Sequence, residues 1–218
     1  MSRFLDRREA GRILAKKLMK YAGRDDVIVL ALPRGGVPIG FEVATALHVP
    51  LDVFTVRKIG HPLHEELAIG AIASGGVQLL DHDLLNEYSL SSEIVQHIIE
   101  REQRELERRE RLFRDERPFP YLVGKTVLLV DDGFATGASA RSAIHALRRH
   151  QPAAIVAAAP VGSVEACEVL AATADECVCV ETPEPFYGVG LWYYDFEQTS
   201  DAEVLALLHE ADARPVSA

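Results

Sequence analysis

A chain of 218 residues, 48% apolar and 26% charged, can bury a full hydrophobic core without cross-links or metal staples. Its formal net charge of −10 argues against a nucleic-acid groove. No apolar run reaches membrane-spanning length and no basic-then-apolar leader pattern opens the chain, so the cytoplasm is the expected compartment.

Strand and helix signals alternate along the sequence. Asp6 to Tyr21 carries apolar residues at Ala10, Ile13, Leu14 and Leu18, at helical spacing. Val27 to Leu32 is a short β-rich run, Val37 to Leu47 reads as a helix and Leu51 to Val56 as a second strand. Leu67 to Ile72 and Val77 to Leu80, separated by Ser-Gly-Gly, predict a hairpin. A long helix is expected over 91–117. Its Glu100–Arg104, Glu105–Arg109, Glu107–Arg111 and Glu110–Arg114 pairs have ion-pair spacing, and from Glu100 to Arg117 seven acids balance seven arginines. That balance predicts a protruding, salt-laced helix, a possible dimer contact, and excludes a basic nucleic-acid arm. Val127 to Val130 is a buried strand with a helix behind it to His150. A strand at Ile155 to Ala159, a helix at Val164 to Ala172, a strand at Cys177 to Val180, an aromatic segment and a helix from Asp201 to Leu208 complete the chain. Repeating βα units imply a parallel sheet with helices on both faces. The three cysteines are read as reduced structural residues; Cys177 and Cys179 share a strand face, too few thiols for a metal site without further ligands.

Four segments carry candidate chemistry. In Val127-Leu-Leu-Val-Asp-Asp-Gly-Phe-Ala-Thr-Gly-Ala-Ser139, two carboxylates stand at the carboxyl end of a buried strand, where open α/β sheets bind ligands. Gly133, Ala135, Thr136, Gly137 and Ala138 leave the backbone bare enough for several N–H groups to enclose an anion, with the Thr136 and Ser139 hydroxyls as added donors. Acids beside an anion cradle suit a phosphorylated sugar better than phosphate alone, because they can face sugar hydroxyls or a divalent cation. The competing readings are a capped strand-to-helix turn and a receiver-type acidic pair. No Gly-x-x-x-x-Gly-Lys-Ser/Thr occurs, which excludes a P-loop nucleotidase.

Leu32-Pro-Arg-Gly-Gly-Val-Pro38 also follows a buried strand, and Arg34 offers a planar fork for phosphate oxygens beside the freed amides of Gly35 and Gly36. Val56-Arg-Lys-Ile-Gly-His-Pro62 runs on through His64, Glu65 and Glu66. Arg57 and Lys58 there suit either a mobile loop that closes over a reactive centre or a solvated turn, and the His and Glu spacing does not favour a metal. Pro183-Glu-Pro-Phe-Tyr-Gly-Val-Gly-Leu-Trp-Tyr-Tyr-Asp-Phe196 collects aromatic faces and a carboxylate, suited to a planar heterocycle or to core and dimer contact.

Strand, Asp-Asp, small residues and Thr-Gly-x-Ser resemble the phosphoribosyl-diphosphate (PRPP) signature of the type I phosphoribosyltransferases. The resemblance implies an α/β fold, a Rossmann-like parallel core with helices on both faces, a small hairpin or hood and the long charged helix as an insertion. The family's common core covers about two-thirds of the chain, and residues 1–218 are expected to form a single domain, with 91–117 inserted and 183–218 as a C-terminal hood and helix. By position it implies that Asp131 and Asp132 hold the ribose hydroxyls and, through ribose or water, Mg2+. Gly133 and Ala135 to Ser139 would take the 5′-phosphate. Arg34, Gly35 and Gly36, with Arg57 and Lys58, would take diphosphate, and a non-proline cis peptide is expected at or next to Arg34. Asp131, Asp132, Arg34 and Lys58 would be the catalytic set, and Phe186, Val189 and Asp195 would bind the base. Asp195 stands one residue later than the pattern places its acid, and Ala135 replaces the loop carboxylate of hypoxanthine-type enzymes. The implied activity is Mg2+-dependent transfer of phosphoribose from PRPP to a nucleobase-like acceptor, as in purine salvage, by a cytoplasmic homodimer that binds no nucleic acid or membrane. The alternatives are a non-catalytic PRPP sensor and a hydrolase of a sugar phosphate.

Overall fold

The computed structural model describes residues 3–88, 90–114 and 117–214. The ends of two expected segments, at 115–116 and 215–218, and the side chains of Glu65 and Glu66 lie outside the described residues. The chain forms two compact units, 1–54 with 120–218, and 55–119.

In the first unit five strands order as β2-β1-β6-β7-β8, where β1 is Val27–Ala31, β2 Leu51–Val53, β6 Thr126–Val130, β7 Ala154–Val161 and β8 Glu176–Glu181. All pairings are parallel. Every residue of β1 and β6 is buried, as a strand covered by helices on both faces requires. Helices α1 (Arg7–Lys17), α2 (Gly36–Leu47) and α7 (Asp201–Asp212) pack together, and α5 (Ala138–Arg148) packs with α6 (Val164–Thr173). The right-handed crossover rule puts these two groups on opposite faces, because the chain runs outward from β1 in one direction and from β6 in the other. The α/β class and the parallel core read from the sequence are therefore present.

The helix starts differ in a way that matters below. Asp6 closes α1 by accepting from Glu9 N, Ser163 closes α6 by accepting from Ala166 N, and Ser200 closes α7 by accepting from Glu203 N. Helices α2 and α5 begin at Gly35 and Gly137 with no side-chain cap hydrogen bond. Gly137 sits at φ +70, a left-handed conformation that costs a glycine little.

The second unit is a three-stranded antiparallel sheet, β3 (Val56–His61), β4 (His64–Ala73) and β5 (Val77–Leu80), with α3 (His82–Glu87) and α4 (Ser92–Arg114). Three expectations are corrected here. The run 51–56 is not one strand: β2 ends at Val53, and Val56 begins a strand of another sheet. Arg57 and Lys58 do not root a loop; they lie within β3, paired opposite Ile72 and Ala71, because buried Ile59 anchors that segment. The long helix does not protrude as an isolated insertion. Its residues Val95, Ile98, Ile99 and Leu106 pack with Ile59, Ile69 and Ile72 into one apolar cluster. The helix does carry three of the expected ion pairs, Glu105–Arg109 at 2.9 Å, Glu107–Arg111 at 3.6 Å and Glu110–Arg114 at 2.8 Å, the last with Arg114 buried, while Glu100 accepts from Gln96. Among the described residues no helix is long and apolar enough to cross a membrane.

Leu106, 1% exposed, discriminates a packed helix from a protruding one. Leu106→Ala is expected to cost about 2–5 kcal/mol of stability in urea unfolding, whereas exposed pairs such as Glu107–Arg111 are worth at most about 1 kcal/mol. Equal small effects from Leu106→Ala and Glu107→Ala would mean that the helix is not packed on its sheet.

Candidate functional site

The β1–β6 ladder aligns Ala31 with Val130, so the two candidate anion loops leave the sheet side by side. Leu32 N donates to Val130 O at 2.9 Å and extends the ladder by one residue. Beyond it the Pro33–Arg34 peptide is cis, as the family resemblance implied. Gly35 then presses against the second acid: a Cβ there would collide with Asp132 Oδ2, and one on Gly36 would stand 2.7 Å from Val130 O. Pro33 to Gly36 and Asp131–Asp132 thus form one crevice at the point where strand order reverses. The starts of α2 and α5 border it, with Gly35 and Gly137 as N-caps that carry no side chain; at α2, Gly36 N donates to Leu32 O at 3.0 Å and Val37 N to Arg34 O at 3.1 Å. Within the phosphate-loop candidate, Phe134 is buried while Ala135, Thr136, Ala138 and Ser139 are exposed. Thr136 Oγ1 accepts from Ala138 N at 3.3 Å.

The acidic pair is held by residues that the sequence reading missed. Arg7 donates through Nε to Asp132 Oδ2 at 2.9 Å, and its second guanidinium nitrogen lies 2.9 Å from the same oxygen. Arg7 also donates to Glu197 O at 2.7 Å and stacks 3.9 Å above the Phe196 ring. Tyr193 donates its hydroxyl to Asp132 O at 2.6 Å. Burial and the neighbouring Asp132 charge push the Tyr193 phenol well up, so it stays a donor. Arg7 makes its ion pair with Asp132 and pulls on Asp131 only through its charge. Burial, and then the adjacent Asp132 charge, hold its carboxyl well above the usual carboxylate range. Burial also raises Asp132, against the pull of Arg7. One sequence signal pointed to Arg7: a cation in the first turn of a helix opposes the helix dipole and therefore needs a partner elsewhere.

Arg34 lies 3.3 Å from Asp201 Oδ1, in the first turn of α7. Val189 packs onto Gly133, where a Cβ would meet Val189 Cγ1 at 2.5 Å. Phe186 borders a cavity of about 540 Å³ that also touches Ala135, Thr136, Ser163, Glu165 and Glu184. The structure thus brings the phosphate-loop candidate and two of the three expected base-binding residues together. Asp195 is exposed, and its Oδ1 accepts from Glu197 N at 3.1 Å; the carboxylates bordering the cavity are Glu165 and Glu184, neither of which the sequence reading named. Arg57 and Lys58 lie in the second unit. Arg57 pairs with Glu102 Oε2 at 2.5 Å, and Glu102, only 7% exposed, also takes Arg101 at 3.0 Å. Both cations border a cavity of about 650 Å³ in that unit with His61 and His97. His61 and His64 stack with ring centroids 4.9 Å apart.

The comparisons with known proteins agree with this geometry. A Mycobacterium tuberculosis protein named "Putative phosphoribosyl transferase" is 44% identical over 211 residues, 97% of this chain and 47% of its own length. The chain therefore spans about half the length of the curated relatives it matches. The crystal structure of TT1426 from Thermus thermophilus superposes with a TM-score of 0.85 at 40% identity, covering 95% of this chain and 98% of that one. The AQ2163 protein of Aquifex aeolicus, 11% identical, covers 93% of this chain and 86% of its own with a TM-score of 0.51, a likeness of fold alone. The family model of the phosphoribosyl transferase domain matches residues 3–193, and the chain belongs to that family.

Proposed function

We propose that this chain transfers the 5-phosphoribosyl group of PRPP to a nucleobase-like nitrogen acceptor. The bond from the anomeric carbon to diphosphate breaks, a carbon–nitrogen bond forms, and the acceptor gives up a proton. The observation that supports this most is the pair of helix starts at Gly35 and Gly137, which flank Asp131 and Asp132 with no side chain at either N-cap. The α5 start, with Gly133 and Ala135 to Ser139, suits the 5′-phosphate. The α2 start, with Arg34, Gly35 and Gly36, suits diphosphate. The two carboxylates between them accept from the vicinal hydroxyls of the ribose. Arg57 and Lys58 are proposed, on the family resemblance, as further cations for diphosphate.

The fit of Mg2+ rests on the acidic pair: two crowded carboxylates, of which Arg7 ion-pairs with one, are hard oxygen donors whose ionisation a divalent cation would favour. Asp131 and Asp132 would hold Mg2+ indirectly, through ribose or water. When bound, Mg2+ supplies neutralisation of the diphosphate charge. The residues present contribute mainly positioning and electrostatic stabilisation, the terms that dominate when the sugar becomes cationic and an anion departs. The proposed acceptor lies in the cavity bordered by Phe186, with Val189 behind it and Glu165 and Glu184 as the polar groups that read its edge. The purine-salvage role, cytoplasmic location and homodimeric state are proposed with this activity.

Incubation with PRPP, Mg2+ and a panel of bases, with diphosphate as the readout, tests the reaction. Base-dependent release is expected. Base-independent release would make the chain a hydrolase, and PRPP binding without release a sensor. In calorimetry with Mg2+ and PRPP, the double variant Asp131→Asn, Asp132→Asn is expected to lose affinity by at least about a hundredfold, since charge-assisted hydrogen bonds are worth about 1.5–3 kcal/mol each. Retained affinity would refute the ribose assignment.

The pH dependence has two opposite signs. A raised carboxyl pKa means that the folded chain holds protons that the unfolded chain releases, so this contribution to stability is lost as pH rises through the folded values. PRPP needs the ionised acids as acceptors, so its affinity rises over the same interval. Melting temperature and affinity, each measured from pH 5 to 8 and referred to Asp131→Asn, are expected to move in opposite directions. Parallel trends would mean that the pair does not ionise on binding.

A further inference from the structure

Three cysteines that are separate in sequence converge in the first unit. Cys177 and Cys179 stand on one face of β8, and Cys167 reaches them from α6. All three Sγ atoms lie within 4.8 Å of one another, and those of Cys167 and Cys179 are 3.1 Å apart. The third thiol corrects the sequence reading, which counted only the Cys177–Cys179 pair. Each cysteine is half-buried, neither sealed in the core nor free in solvent. Gly162 backs the cluster: a Cβ there would stand 2.7 Å from Cys167 Sγ and 3.1 Å from Cys179 Sγ, so the absence of a side chain makes room for both sulfurs.

We propose that Cys167, Cys177 and Cys179 form a site for one soft, thiophilic d10 metal ion, of the Zn2+ or Cu+ class. Sulfurs bound to one metal at about 2.3 Å with tetrahedral angles stand about 3.8 Å apart. The separations here, from 3.1 Å to at most 4.8 Å, bracket that value, so small side-chain rotations complete the site. The donor set selects the ion. Thiolates favour Zn2+ and Cu+ over Mg2+ and Ca2+, which prefer oxygen. The balance is one cation gained and up to three thiol protons released, with no change of oxidation state. Three adjacent thiolates would repel one another without the cation, which couples deprotonation to binding. Cu+ is satisfied by three sulfurs; Zn2+ would add a water or another exogenous ligand as its fourth. This site is separate from the acidic pair proposed to act on PRPP, and it stands or falls without that reading.

The test uses the full chain, reduced and kept free of oxygen. Titration with Co2+ as a spectroscopic substitute for Zn2+ is expected to give a sulfur-to-cobalt charge-transfer band that saturates at one ion per chain. Competition against a chromophoric zinc chelator and a Cu+-selective chelator then identifies the preferred ion. Cys167→Ser, Cys177→Ser and Cys179→Ser are each expected to weaken binding by more than about tenfold, since even outer-sphere losses cost about 10–100-fold. Metal is also expected to raise the melting temperature of the wild type. Three results would overturn the proposal. They are no uptake by the reduced wild type, uptake unchanged in the triple serine variant, and a Cys167–Cys179 disulfide by mass spectrometry in a chain that takes up no metal after reduction. The wild-type titration decides the matter even if a serine variant fails to fold.

Discussion

The parallel pairing of β1 with β6 is the constraint on which the rest of the site depends. Because Ala31 faces Val130, the chain leaves both strands at one level and must turn into two helices over the same patch of sheet edge. Those helices start at glycines, whereas Asp6, Ser163 and Ser200 cap α1, α6 and α7. Their first amides are held by Thr136 Oγ1 at α5 and by the Leu32 and Arg34 carbonyls at α2, and no N-cap side chain stands between the helix starts and the crevice. Fixed backbone donors need no rearrangement when charge arrives, which is the condition for electrostatic stabilisation of a reacting group.

The acidic pair faces the opposite problem. Two neighbouring carboxylates in a crowded crevice repel, and one cation, Arg7, forms its ion pair with the second alone, acting on the first only at a distance. Arg7 is itself fixed by Glu197 O and the face of Phe196, so it holds Asp132 in one orientation. Tyr193 adds a donor to the Asp132 carbonyl and fixes the backbone beneath it. Asp131, whose carboxyl is pushed up by burial and by Asp132, is the acid whose ionisation the crevice resists. The crevice is thus under-compensated, and a ligand bringing hydroxyl donors or a divalent cation relieves it.

Much of this was legible in the sequence because the deciding residues are local. Apolar runs set β1 and β6, and Asp131 to Ser139 follow one another on the chain. Arg34 and its cis peptide sit beside Gly35 and Gly36 for the same reason. What was not legible depends on contacts between distant segments. The first helical turn around Arg7 pairs with Asp132 only after the sheet has formed. Glu102 reads as one more solvated charge, yet it lies on the apolar side of α4 with Leu106, where it pairs with Arg57. The break between β2 and β3 leaves no mark in a run of β-formers, because Phe54 and Thr55 are as buried as the strands they separate. Cys167 joins Cys177 and Cys179 only through the packing of α6 on β8.

The phosphate-loop candidate is fastened to the end of β7. Phe134 N donates to Val161 O and Ser163 N donates to Phe134 O, each at 2.9 Å, so the loop continues the sheet for one bridge at Gly162. Ser163 Oγ then serves two partners: it donates to Ala135 O at 2.8 Å and accepts from Ala166 N at 3.0 Å, capping α6. One hydroxyl therefore fixes both the loop and the helix that carries Cys167. At Gly162, next to that serine, a Cβ would crowd the thiols of Cys167 and Cys179. The thiol cluster and the phosphate-loop candidate thus adjoin two consecutive residues of the chain, Gly162 and Ser163.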